Sequence, residues 1–234
     1  MAIAAQDLLR EVIDTLQNAN LKRWTIPEMC RVFNAGMIEI ITLRPEAGTT
    51  VVTLNLAAGA RQKLSDPTHT RLLSVVRNSS GQKRAIRLAD RTVLDIEDPN
   101  WQNASGVSEI LHYTFDERDP TGFYVYPPAT GGTQVEGTVA KLPNAIPIPA
   151  DGSVLADVTG SLGLPDIYRG AMYDFCCGRL FEKDAEYRVN AERGQAHMAA
   201  FLQKLGVEQN ATRATSPRRS ATESGTRPAR AADS

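Results

Sequence analysis

Chemistry in this chain would have to come from three cysteines, three histidines, one acidic turn or a group of late arginines. Cys176 and Cys177 are adjacent, and Cys30 stands alone. A thiol with a remote histidine is formally a nucleophile and its base, so a cysteine-dependent hydrolase is the one enzymatic reading with residues behind it. Both cysteines follow Phe175 on an apolar stretch, where a free cysteine acts as a small core hydrophobe. Core packing is the preferred reading. The odd cysteine count and its spacing fit neither a zinc site nor a disulfide framework. His69, His112 and His197 fall in a loop, a strand and a helix, and none has a second histidine at ligand spacing. Asp116, Glu117 and Asp119 lack the alternate-position pattern of a calcium loop and read as a solvated turn. Gly131-Gly132 lies between a Pro-Pro pair and a strand and reads as a hairpin loop. No catalytic residue, metal or cofactor is expected.

The remaining charged chemistry lies at the C-terminus. Residues 207–234 hold one large aliphatic, Val207, and no aromatic. Such a segment cannot bury enough apolar surface to offset its ordering entropy. It carries Arg213, Arg218, Arg219, Arg227 and Arg230 against Glu208, Glu223 and Asp233. A planar guanidinium pairs well with carboxylates at protein interfaces. These five arginines are therefore the candidate partner-binding residues, with plain solvated disorder as the alternative. Gly206 is taken as the helix stop before them. Fully extended, the 28 residues beyond it would reach about 90 Å at ~3.3 Å per residue.

The elements that must carry these residues follow from periodicity. Leu8, Leu9, Val12, Ile13 and Leu16 mark a helix over 6–17. Thr25 and Glu28 stand at capping-box spacing, with Pro27 in the first turn. Met29, Val32, Phe33, Met37, Ile40 and Ile41 then form one face, until Pro45 stops the helix near Leu43. The pattern changes to strands at 51–56, 72–76, 85–88, 110–115, 123–126 and 135–140. The stretch from Asp116 to Gly122 is a hairpin signal. Residues 89–96 read as a short helix or turn. Pro143, Pro147 and Pro149 mark an extended connector. A long helical region covers 165–205, with a bend near Lys183-Asp184. Ile167, Ala171 and Phe175 form one stripe in it, and Met198, Phe201, Leu202 and Leu205 another.

The expected fold class is α+β. A helical bundle, built from two N-terminal helices and one or two C-terminal ones, holds an inserted antiparallel β domain and ends in an extended arm. The expected divisions are 1–47 and 151–206 for the two helical parts, 48–150 for the β domain and 207–234 for the arm. The chain has 234 residues and a net charge of −1, which argues against a generic nucleic-acid binder. The N-terminus lacks a charged region followed by an apolar run, and no stretch is apolar enough to span a bilayer. A cytosolic site of synthesis is expected.

Several short stretches, in order, resemble the head-to-tail adaptors of short-tailed phages, also called gatekeeper or tail tubular A-like proteins. They are Trp24-Thr25, Phe33-Asn34-Ala35-Gly36, Leu43-Arg44-Pro45, Arg61-Gln62-Lys63-Leu64, Val75-Val76-Arg77-Asn78 and Pro99-Asn100-Trp101. His112 to Pro120, Phe123 to Pro128 and Lys183 to Tyr187 complete the set. The resemblance implies a structural virion protein at the head–tail interface, assembled in the host cytoplasm and without catalytic residues. It implies a twelvefold ring of copies beneath the portal protein, with tail or nozzle proteins below. It implies a channel through which double-stranded DNA passes without sequence specificity, and a C-terminal segment docked on the portal. A near-neutral chain suits such a conduit, because a strongly basic lumen would hold DNA back. The rival structural reading is a neck or tail-tube protein that does not touch the portal.

Overall fold

A computed structural model describes residues 3–116, 118–183 and 188–215, with side chains described to Val207 in the last helix. The described residues form a mixed α+β protein with five α-helices and two β-sheets.

Helix α1 (Ala5–Thr15) buries Leu8, Leu9, Val12 and Ile13, the stripe that helical spacing predicts. Its entry is held by main-chain pairing: Ala5 N–H donates to Gly160 O at 3.1 Å, and Leu162 N–H to Ile3 O at 2.9 Å. Helix α2 (Ile26–Leu43) starts after Thr25 and stops one residue before Arg44. The predicted capping box does not form, because the Thr25 side chain makes no cap bond. The Glu28 carboxylate instead meets Lys183 Nζ at 2.7 Å.

Helices α4 (Arg169–Glu182) and α5 (Arg188–Thr215) are the closest-packed pair. Gly178 faces Gly194, Asp174 faces His197, and Gly170 faces Lys204, so the two run antiparallel. A Cβ on Gly178 would come within 2.8 Å of Met198. Helix α4 also packs on α2 and α1. A Cβ on Gly36 of α2 would lie 2.7 Å from Phe175, so that glycine permits the close approach. One apolar core results, built from residues 5–47 and 146–205 and including Phe33, Met172, Phe175, Cys176 and Phe201. Ile167 is a correction to the predicted stripe. It sits in a 3₁₀ turn, Asp166–Tyr168, and is exposed, while Tyr168 takes the buried place.

Between these helical stretches lie seven strands, one more than the periodicity gives. Strands β1 (Thr49–Asn55), β7 (Gln134–Lys141) and β3 (His69–Asn78) form an antiparallel sheet in the order β1-β7-β3. Strands β2 (Gly59–Lys63), β6 (Gly122–Ala129), β5 (His112–Thr114) and β4 (Arg87–Leu88) form the second, in that order. The predicted hairpin is the β5–β6 pair, with Tyr113 opposite Val125. The β4–β5 pair is parallel, so the sheet is not purely antiparallel as expected. Leu72, Val75, Val135 and Val139 from one sheet meet Tyr113, Phe123 and Val125 from the other in a single core. Strand β2 escaped the sequence pattern because Arg61, Gln62 and Lys63 carry almost no apolar signal. A short helix, α3 (Arg91–Glu97), is capped by Asp90, whose carboxylate accepts Thr92 N–H at 2.8 Å. It rests Leu94 against Trp101 in a small separate cluster.

Candidate functional site

The three cysteines are placed in the core. Cys30, Cys176 and Cys177 are all free and buried. Burial pushes the Cys177 thiol up to about 12, and drives Cys176 well above the ordinary range. Burial also raises Cys30. A nucleophilic cysteine needs the opposite shift, toward thiolate. His197, the histidine on the adjoining helix, commits its Nδ1 to Asp174 at 3.0 Å. The thiols therefore pack in the apolar core that α2 and α4 share.

The acidic turn is local structure too. Asp116 Oδ1 accepts Arg118 N–H at 2.9 Å, and Asp119 Oδ1 accepts Gly122 N–H at 3.1 Å. Both are side-chain-to-backbone turns that aspartate favours. Glu117 lies outside the described residues. His69 faces Asp66 at 3.6 Å, and His112 stacks at a tilt on Tyr126 with ring centroids 6.2 Å apart. The three histidines stay apart. Among the described residues no group of three or more His, Cys, Asp or Glu side chains comes together, and no helix is long and apolar enough to cross a membrane.

Several polar residues of the ordered motifs instead splint backbone. Asn34 on α2 donates to Ile146 O at 3.0 Å and accepts Ile146 N–H at 2.8 Å, which ties the proline-rich connector to the helix. Asn78, buried at the end of β3, accepts Ile110 N–H at 2.9 Å and donates to Ile110 O at 2.8 Å and Arg84 O at 3.0 Å. Gln62 accepts Ala57 N–H at 2.8 Å and donates to Ala57 O and Gly59 O. A primary amide offers both donor and acceptor, so one side chain can stand in for a missing strand neighbour. Trp24 Nε1–H donates to Leu180 O at 2.9 Å. Trp101 is fully buried and donates to Asp95 at 2.8 Å, edge-on to Tyr124 and Tyr126.

The C-terminal helix is held by further contacts that periodicity did not reveal. Arg44, buried at the end of α2, donates its guanidinium to Leu205 O. Asp174 of α4, only 4% exposed, accepts from both His197 and Lys204 of α5. Lys204 also donates to Gly170 O at 3.2 Å.

Gly206 is not a helix stop. Helix α5 runs through it to Thr215, so residues 207–215 of the expected extended arm are helical. Glycine inside a helix costs only about 1 kcal/mol relative to alanine. Arg213 stands on α5. Arg218, Arg219, Arg227 and Arg230 lie outside the described residues. Leu205 is buried, Gly206 has open space beside its Cα, and Val207 is exposed, so Leu205 is the last buried apolar residue among those described.

No curated protein matches the chain. The family model described as SU10 adaptor protein matches it over residues 3–222, from the strand-like entry of α1 to beyond the end of α5. That span contains every motif and every backbone splint described above. The chain belongs to the SU10 adaptor protein family and is a phage adaptor protein.

Proposed function

We propose that this chain is a structural subunit of the head-to-tail connector. Copies form a twelvefold ring under the portal, link the capsid to the tail and continue the DNA channel. The observation that carries the reading is the family match over nearly the whole chain. The placement of its chemistry supports it, since the reactive groups are buried or used in turns, and the motif residues hold the frame.

In this reading the helical stretches 1–47 and 151–206 act as one bundle and 48–150 as an inserted β domain. The two separate apolar cores favour that division. The segment 207–234 engages the portal, starting as the end of α5 rather than as an extended chain. Its arginines pair with portal carboxylates, and repetition around the ring multiplies modest contacts. Tail or nozzle proteins attach below, and double-stranded DNA passes without sequence-specific contact. The protein is then a virion component with no enzymatic role.

The test is decoration of purified portal rings by the full chain and by a chain ending at Gly206. Electron microscopy should show a complete second ring for the full chain, and sparse or no decoration for the shortened one. Equal decoration by both would remove the C-terminal segment from the interface. No decoration by either would favour a neck or tail-tube protein that does not touch the portal.

A further inference from the structure

Strand β1 has an open edge of an unusual kind. Its sequence, Thr-Thr-Val-Val-Thr-Leu-Asn, contains five β-branched residues in seven and no charge. It pairs on one side with β7 along its whole length, Thr49 opposite Ala140 through Asn55 opposite Gln134. Just past the strand, Leu56 N–H donates to Thr133 O at 2.8 Å, and Leu56 O accepts from Gly132 N–H at 3.0 Å. In an antiparallel ladder such bonded positions recur at every second residue. Thr50, Val52 and Leu54 therefore spend their backbone groups on β7. Val51, Thr53 and Asn55 point theirs outward, as does Thr49, whose N–H is already taken by Glu46 O. Among the described residues, nothing bonds to the outward N–H or C=O of Val51, Thr53 or Asn55. Val51 is also 61% exposed.

The opposite edge of the same sheet is managed differently. The backbone of β3 is bonded on its outer side by Leu72 N–H to Pro120 O at 2.8 Å, Ile86 N–H to Val76 O at 3.0 Å and Asn78 N–H to Arg84 O at 3.0 Å. It also carries Arg71 and Arg77. The edge strands of the second sheet carry charge as well: Arg61 and Lys63 in β2, Arg87 in β4. Natural edge strands are protected by charge, proline, a bulge or a cover. Among the described residues, strand β1 has none of the four along its length.

We propose that the β1 edge is an interaction surface and that its occupant is β1 of a second copy of this chain. The pairing is antiparallel about a two-fold axis at Val52, with Thr49 opposite the partner copy's residue 55 and Val51 opposite its residue 53. Charge selects this occupant. Any other named edge strand of the chain would bring an arginine or lysine onto a neutral ladder. The β1–β1 pair places neutral residues opposite neutral residues along its full length. The register bonds outward groups to outward groups, so no residue must turn over. Because β3 closes the far side, the result is a six-stranded sheet that stops at two copies rather than a growing fibre. A two-fold contact uses the same patch on both copies. It therefore differs from the head-to-tail contact of a ring, and describes the chain away from its assembly. The inference does not rest on the portal-ring reading.

Sedimentation equilibrium of the full chain over the micromolar range tests this. Wild type should show a concentration-dependent monomer–dimer equilibrium that stops at two. Thr53→Lys adds a charge to an exposed side chain and should raise the dimer dissociation constant about tenfold or more, since it sets charge against the partner ladder. Thr53→Pro removes only an outward N–H and should have the same effect on association. Thr42→Lys, on the exposed side of α2, should leave association unchanged. Hydrogen exchange should slow at Val51, Thr53 and Asn55 as concentration rises, and stay constant at Val52. A monomer at every concentration would overturn the proposal. So would a Thr53→Lys protein that dimerises like wild type, or growth past two copies.

Discussion

The Arg44 guanidinium donates to the backbone carbonyl of Leu205, joining the first residue after α2 to a buried residue of α5 across most of the chain's length. The arginine stands next to Pro45, which ends α2 and starts a 3₁₀ turn into β1. One side chain thus fixes where the helical core hands over to the sheet and where the C-terminal helix leaves the core.

Arg44→Ala should cost about 2–3 kcal/mol of stability, the range for a bond made by a charged donor together with lost packing. Arg44→Lys should recover less than half of that, because a single ammonium does not reproduce the fork geometry. Urea unfolding midpoints at constant slope would measure both.

Asn78→Ala should cost more than a surface change allows, about 3 kcal/mol. It leaves the buried backbone N–H and C=O of Ile110 without partners. Asn78→Asp should be at least as costly, because it exchanges two donated bonds for a buried charge. Thermal or chemical denaturation, with exchange at the Ile110 amide, would read the loss at its source.

Asp174→Ala should destabilise the α4–α5 contact more than Lys204→Met does. The carboxylate is almost fully buried, whereas the Lys204 side chain is about half exposed and can turn to water. Solvent screening keeps the lysine variant near 0–1 kcal/mol. Removing the carboxylate takes away the acceptor of both Lys204 and His197 at once, and should cost about 2 kcal/mol. A double-mutant cycle would separate the two.

The cysteines should resist thiol reagents in the folded protein at neutral pH and react fully once it is unfolded. Their pH dependence has a definite sign. Folding raises the thiol of Cys177 from an ordinary value of 9.0 to about 12 and raises Cys176 and Cys30 in the same direction. The protonated thiol is the form the core accepts, so this contribution is complete below pH 9. It falls as pH rises from 9 toward 12. Unfolding midpoints measured through that window should drop, and Cys177→Ala should flatten the drop.

Gly36→Ala should be destabilising despite the better helix propensity of alanine, because the added methyl would sit 2.7 Å from Phe175. An overpacked core site typically loses about 1–3 kcal/mol. Phe175→Leu in the same chain should restore part of the loss, which a double-mutant comparison would show.

Much of the secondary structure was legible because it is written in local pattern. The stripe from Leu8 to Leu16, the stop at Pro45, the β5–β6 hairpin around Asp116 to Gly122 and the break after Glu182 all depend on near neighbours. Two errors have local causes as well. Strand β2 is polar on both faces, and Gly206 is a weak signal against continued helix.

The sequence by itself determined the α+β class, the order of most of its elements and, through ordered motifs from Trp24 to Tyr187, the family. It determined that the thiols stand on an apolar helix. Only the tertiary structure decided what the polar motif residues do. Asn34, Gln62 and Asn78 are each an unremarkable amide in the chain, and each becomes a splint because a distant or bulged backbone arrives with unpaired groups. Only the tertiary structure joined Arg44 to Leu205 and Asp174 to His197 and Lys204. It also decided that β3 is covered while β1 is open. Periodicity reports which face of an element is buried, since burial repeats along the chain. Hydrogen-bond partners and free edges depend on which elements meet, and those meetings join residues far apart in sequence.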